Sequence, residues 1–249
     1  MMNRRPALNQ QMSTKGLTYE MASVFYHEFF RNQDYTWFHR VEPGDVCVDV
    51  GACCGMFTAH ALDEGASKVY MVEGSRELLK VAIENVSEYM MNEPVPKVYP
   101  VNCLLGDCNP TGVYETPTDD LSVDSIDRMS LMELVDHYDI QYIDYLKMDI
   151  EGNEFDTLTA ENLDFFKRKV SHFAGEIHTQ AFDGAQDKFL EFRDTFLKPL
   201  MENPAIKINA QIHGQNKTKW LNNILWDDQA IRDLTPDQSY FMLYITNEW

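Results

Sequence analysis

The 249-residue chain is short of several things. It has no uninterrupted apolar stretch approaching the roughly 20 residues a membrane-crossing helix needs, and its first residues, MMNRRPALNQQMSTKG, contain no apolar core of a secretion signal. Basic residues are scarce, 21 Lys and Arg against 40 Asp and Glu, a formal charge of −19. A surface that acidic repels phosphate backbones and anionic lipid, which excludes nucleic acid and membranes as natural partners. The five cysteines, Cys47, Cys53, Cys54, Cys103 and Cys108, are odd in number and form no CxxC repeat, so they read as reduced thiols and not as a disulfide frame or zinc knuckle. The glycosylation triplets at Asn85 and Asn216 carry no weight without a secretion signal. The expected protein is soluble and cytoplasmic and acts on a small molecule.

No repeat, low-complexity tract or linker divides the chain, and its length suits one α/β domain over 1–249: an N-terminal helical extension over 1–43 and a core over 44–249. In Leu17 to Asn32, Met21, Val24, Phe25 and Phe29 recur at helical spacing. After Pro43-Gly44, VCVDV is a valine-rich strand; a glycine turn leads into the helix FTAHALDE, which stops at Gly65. KVYMVEG, KVYPVNCLL, DYLKMDI, KVSHFAGEIH, AIKINAQIH and QSYFMLYIT read as further strands. SRELLKVAIENVSEYM, SLMELVDHY, EGNEFDTLTAENLDFF and FDGAQDKFLEFRDTFLKPLM read as helices between them, and 106–121 as a polar loop. Strands alternating with helices predict a Rossmann-like, seven-stranded, mostly parallel sheet with helices on both faces.

In such a sheet, ligands lie beyond the carboxyl ends of the strands beside the first one. The turn there, Gly51-Ala52-Cys53-Cys54-Gly55, lacks the middle glycine of G-x-G-x-x-G, and Asp49 ends the strand before it. A carboxylate at this point disfavours pyrophosphate and favours an ammonium group. Glu73, 22 positions after Gly51 at the end of the second strand and followed by Gly74, is placed to accept from ribose hydroxyls. Together these point to S-adenosylmethionine, with Asp49, Gly51, Ala52, Cys53, Gly55, Glu73 and Gly74 as its binding set. Asn102, Cys103 and Leu104, at the third strand's end, and Asp107 after it are candidates for the adenine.

VDVGACCGMFTAHALDEGASKVYMVEGS, SVDSIDRM, YLKMDIEGNEFDTL and GEIH resemble the FkbM-type methyltransferases of the class I S-adenosylmethionine-dependent fold, from about Val46 to His178. The most specific piece is KMDIEGNE, residues 147–154, which resembles the family's K-x-D-x-E-G-x-E. The resemblance implies a seven-stranded sheet whose last strand is antiparallel and methyl transfer to a hydroxyl, often of a sugar or secondary metabolite. Cys53-Cys54 and the acidic loop from Asp107 to Asp120 depart from the family pattern, and the second leaves the acceptor open.

Methyl transfer to a hydroxyl needs alignment of oxygen, carbon and sulfur and removal of one proton. Asp149, ending the fourth strand, is the first candidate for the proton. Glu151 and Glu154, three apart around the next helix start, are placed to face one pocket, although carboxylates there also complement a helix dipole. Glu176 and His178 alternate along the fifth strand and share a face, with His178 a candidate general base. Lys147 shares the face of Asp149 and can pair with a carboxylate, and His213 ends the sixth strand. Asp149, Glu176 and His178 also have the chemistry to hold a divalent ion, but no local ligand spacing supports one, so the sequence assigns no metal. The alternatives are an NAD-dependent oxidoreductase, disfavoured by the missing glycine and Asp49, and a non-catalytic cofactor-binding module, against which the intact turn argues.

Overall fold

The computed structural model describes residues 23, 27–90, 97–106, 126–212, 219–220, 224–235, 238 and 240–248. Most of the expected N-terminal helix, the loop with Asp107 and Cys108, and His213 lie outside these residues.

Strand β1 (Val46–Val50), helix α1 (Met56–Glu64), strand β2 (Lys68–Val72), helix α2 (Arg76–Met90) and strand β3 (Val98–Val101) form two successive β-α-β units, each strand parallel to its neighbour. The strand after these in the main sheet, β6 (Ile143–Met148), pairs with the other side of β1, and β7 (Val170–His178) pairs with β6, both parallel. Strand β10 (Tyr240–Asn247) inserts antiparallel between β7 and β8 (Ile206–Ile212), and β9 (Lys219–Trp220) closes that edge. The order is β3-β2-β1-β6-β7-β10-β8-β9, the seven expected strands with the antiparallel last one, plus a two-residue edge.

Period-two alternation sorts the side chains. Val48, Val50, Leu146, Met148, Phe173 and Ile177 face one hydrophobic layer, capped by helices α3 (Leu131–His137), α5 (Leu163–Lys169) and α6 (Ala185–Phe192). Cys47, Tyr145, Ala174, Met242 and Tyr244 face the other, capped by α1, α2 and the segment around Phe29 and Tyr35. Asp49, Lys147, Asp149, Glu176 and His178 keep the parity of this second face.

Three expected elements are altered. The third strand ends at Val101; Leu104–Leu105 leaves the sheet as β4 and pairs instead with β5 (Arg128–Met129). The single helix expected over 151–166 is broken into α4 (Glu154–Thr157), a 3-10 turn (Ala160–Asn162) and α5. Thr159 causes the break, because its hydroxyl and Asn162 form a reciprocal cap that starts a new helix. The long helix after Gly184 passes through a π-turn, Arg193–Leu197, into Lys198–Met201. Pro199 lacks the N–H and the room an α-turn would demand, and the wider turn before it relieves that conflict.

Candidate active site

The glycine turn sits against the end of β6. Gly51 has φ +74°, and a Cβ there would lie 1.8 Å from the Asp149 backbone oxygen, so only glycine lets the two strand ends meet this closely. The backbone N–H groups of Gly51 and Ala52 both donate to the Val72 carbonyl at 3.0 Å, tying the turn to the end of β2. Cys53 takes φ 51°, the left-handed conformation that a middle glycine would have served, and its N–H donates to Glu73 Oε2 at 2.8 Å. Gly55, at φ 79°, caps the start of α1.

Asp49 is fully buried. Its Oδ2 accepts from the Thr58 N–H (3.1 Å) and hydroxyl (2.7 Å), and its Oδ1 lies 3.3 Å from Lys147 Nζ. Strand register sets this pairing, since Asp49 and Lys147 are direct partners across β1 and β6. Burial disfavours the ammonium, but Asp49 and then Asp149 outweigh it and hold the Lys147 pKa above its ordinary value. Lys147 also donates to the carbonyls of Gly51 (2.6 Å) and Val50 (3.3 Å). Asp49 and Lys147 thus form a buried strut beneath the turn, and Thr58 and Lys147 satisfy the carboxylate expected to meet an ammonium group of the ligand.

Glu73 stands partly exposed beyond β2, its Oε1 accepting from the Ser75 N–H at 2.7 Å. Burial raises its pKa, against the pull of these backbone N–H groups. Asn102 donates to the carbonyls of Glu73 (2.9 Å) and Gly74 (2.8 Å), and Leu104 packs over Gly74, where a Cβ would come within 2.4 Å of its Cδ2. Cys103 turns into the core, leaving only its backbone to any ligand. The residues set for S-adenosylmethionine therefore gather at one place, apart from Asp107, which lies outside the described residues. Glu73 keeps acceptor capacity suited to a ribose, and Lys147, the cation beneath the turn, is committed to Asp49 and two carbonyls, whereas the side chains of Asp49 and Cys103 turn away from any ligand.

Beyond the ends of β6 and β7 the acidic residues converge on one imidazole. His178 Nδ1 lies 3.0 Å from Glu154 Oε1, and its Nε2 lies 3.4 Å from Glu151 Oε2 and 3.9 Å from Glu176 Oε1. Burial opposes a charge on His178, but Glu154 and Glu176 outweigh it and hold its pKa well above the usual value. Burial, reinforced by Asp149, drives Glu176 upward. Glu151 and Glu154 do reach one pocket, but by a turn and not by helical spacing: Glu151 (φ 55°) and Gly152 (φ 104°) are both left-handed, and α4 starts only at Glu154.

Tyr35 completes this cluster and was not singled out from sequence. Its hydroxyl donates to Asp149 Oδ2 at 2.8 Å and approaches Glu176 Oε2 at 3.3 Å. Burial and then Asp149 raise its pKa far up, so it is a neutral donor. Tyr145 donates to the Tyr35 carbonyl, Tyr244 donates to the Asp34 carbonyl at 2.7 Å, and Phe29 stacks on the Tyr35 ring at 4.9 Å. Glu28, on the same segment, is pushed up to about 7 by burial and by Asp149. An aromatic inside the polar run NQDYTW was the one available signal.

The model of the methyltransferase FkbM domain matches residues 49–202, more than half of the chain. The chain belongs to the FkbM methyltransferase family. The matched span runs from Asp49 through the turn and the carboxylate cluster; Glu28 and Tyr35 lie outside it. Among solved structures, this FkbM-family chain is similar to the methyltransferase FkbM of Methylobacillus flagellatus KT, with 17% identity and a TM-score of 0.54, over 96% of this chain and 56% of that one. It thus spans little more than half the length of that protein. A putative rRNA-methylase from Clostridium thermocellum aligns at 12% identity and a TM-score of 0.49, over 92% and 96% of the two chains. No curated protein sequence matches the chain. Among the described residues, no helix is long and apolar enough to cross a membrane.

Proposed function

We propose that this FkbM-family methyltransferase moves a methyl group from S-adenosylmethionine to a hydroxyl of a small molecule. The observation that carries the acceptor half is the cluster of Asp149, Glu176, His178 and Tyr35 beside the glycine turn: groups able to take and hold a proton stand next to the expected donor site. When bound, S-adenosylmethionine supplies a methyl group on a sulfonium that departs as a neutral thioether. The chain then has two tasks. The turn at Gly51 and Glu73 hold and orient the donor, and the carboxylate cluster orients the hydroxyl and receives its proton. Tyr35, itself fixed by Tyr145 and Phe29, keeps Asp149 and Glu176 in place. The excess of acidic over basic residues favours a small neutral or cationic acceptor over nucleic acid.

Calorimetric titration of the full chain with S-adenosylhomocysteine and, separately, with NAD tests the donor. Binding of the first alone supports the reading; binding of NAD alone overturns it. Transfer of labelled methyl to hydroxyl compounds tests the acceptor. Asp149→Asn is expected to leave S-adenosylhomocysteine binding within about twofold while lowering transfer about a hundredfold, the range reached when a group that orients or deprotonates the acceptor is lost.

A further inference from the structure

The cluster at the ends of β6 and β7 has more carboxyl groups than cations. Asp149, Glu151, Glu154 and Glu176 face the single imidazole of His178, and Lys147 is committed to the strut with Asp49. One ligand atom from each of Asp149, Glu151 and His178 lies within 4.8 Å of the others. Two independent features prepare these atoms. Glu154, fully buried and fixed by the N–H groups of Gly152 (3.1 Å) and Ile150 (3.3 Å), holds His178 at Nδ1 and turns Nε2 toward the carboxylates. That is how a carboxylate orients a metal-bound histidine. Asp149 Oδ2 accepts from the Tyr35 hydroxyl, while its Oδ1 is shielded from solvent and has no hydrogen-bond partner. An acceptor oxygen stranded in this way is costly unless something positive meets it.

We propose that Asp149, Glu151 and His178 bind a divalent cation, with Glu154 and Tyr35 as positioning residues. One imidazole and two carboxylates suit a cation between the hard and borderline classes, such as Mn²⁺. The proposal deepens the acceptor-site reading and rests on it only for the cation's role. There the ion holds the acceptor hydroxyl and makes its proton more acidic, as bound metals do to water. Asp149 then serves as ligand, and Glu176 is the carboxylate left to receive the proton. Glu151 has the side chain best suited to capture, since 73% of it is exposed whereas 13% of His178 is.

The test is a titration of the full, EDTA-treated chain with Mn²⁺, without S-adenosylmethionine, following the electron paramagnetic resonance of free Mn²⁺. The expected result is one tight site per chain, and, in pulsed spectra of the bound ion, nitrogen hyperfine coupling from the imidazole. His178→Gln should abolish the coupling, and Glu151→Gln, an exposed position that leaves the fold alone, should weaken binding about tenfold or more. Glu161→Gln, an exposed acidic control outside the cluster, should change nothing. Absence of a stoichiometric site, or equal weakening in Glu161→Gln, would overturn the proposal by reducing uptake to general attraction to an acidic surface. S-adenosylhomocysteine binding is measured in parallel: binding of it without Mn²⁺ uptake removes the cation and keeps the methyl-donor reading, and the reverse keeps the cation and removes the donor.

Discussion

Replacing Lys147 by Met should be among the most damaging single changes in the protein, although it removes no catalytic group. Lys147 and Asp49 have side chains 3% and 0% exposed, 3.3 Å apart. At an effective dielectric of about 20, such a pair attracts by about 5 kcal/mol, much of which only offsets the loss of water around both charges. The whole pair therefore adds little net stability. Removing one member strands the other, and buried pairs broken in this way lose about 3–5 kcal/mol out of a typical total of about 5–15. Met keeps the length of the side chain but leaves Asp49 Oδ1 buried with no cation, and it frees the carbonyls of Val50 and Gly51. Urea unfolding at pH 7 of wild type, Lys147→Met, Asp49→Asn and the double variant forms the cycle. Asn can still accept from Thr58, so the double variant should be less damaged than the two single losses added together, with a coupling of about 2 kcal/mol or more. A Lys147→Met variant within about 1 kcal/mol of wild type, or additive singles, would refute the strut.

Other consequences follow from the same contacts. Gly51→Ala should abolish soluble folded protein, because its Cβ meets backbone, whereas Gly74→Ala meets only the tip of Leu104 and should lose about 1–3 kcal/mol, part of it recovered by adding Leu104→Ala; thermal melts distinguish the three. Tyr35→Phe leaves Asp149 and Glu176 short of a donor and should destabilise by about 1–3 kcal/mol in urea unfolding; no measurable loss would mean that Tyr35 does not hold them. His172, its ring stacked on His39 at 3.2 Å, is lowered to about 4 by burial and then by His39. The unfolded chain, titrating near 6.5, binds the extra proton first, so stability is intact above that pH and falls as pH drops from about 6.5 toward 4. Allowing for its partial exposure, the loss attributable to His172 is about 1–2 kcal/mol. His172→Phe should lose that much less between pH 7 and 4.5; an unchanged acid loss would assign the effect elsewhere.

What could be read from sequence follows the range of the interactions involved. The strand, turn and helix around Gly51 were legible because valine alternation, a glycine pair and a terminal acid are all local, and register along β1 and β6 then brought Lys147 to Asp49 as the spacing of 147 and 149 allowed. The meeting of Glu151 with Glu154 was anticipated, but the cause differs: two left-handed residues, not a helix face, aim them at His178. Cys53 shows the same gap between residue type and conformation. The missing glycine suggested a different turn, yet Cys53 keeps the glycine-like dihedral at a strain of about 1–2 kcal/mol, and the N–H it thereby presents is the one that holds Glu73. Beyond its place in the polar run NQDYTW nothing marked Tyr35, because its partner is 114 residues away and no periodicity runs through the segment that carries it. That segment also lies outside the span shared with the family, so the residue that fixes Asp149 and Glu176 is a feature of this chain beyond the matched domain. The matched span thus covers the glycine turn and the carboxylates, while Tyr35, which holds two of those carboxylates, is brought to them only by the folded chain.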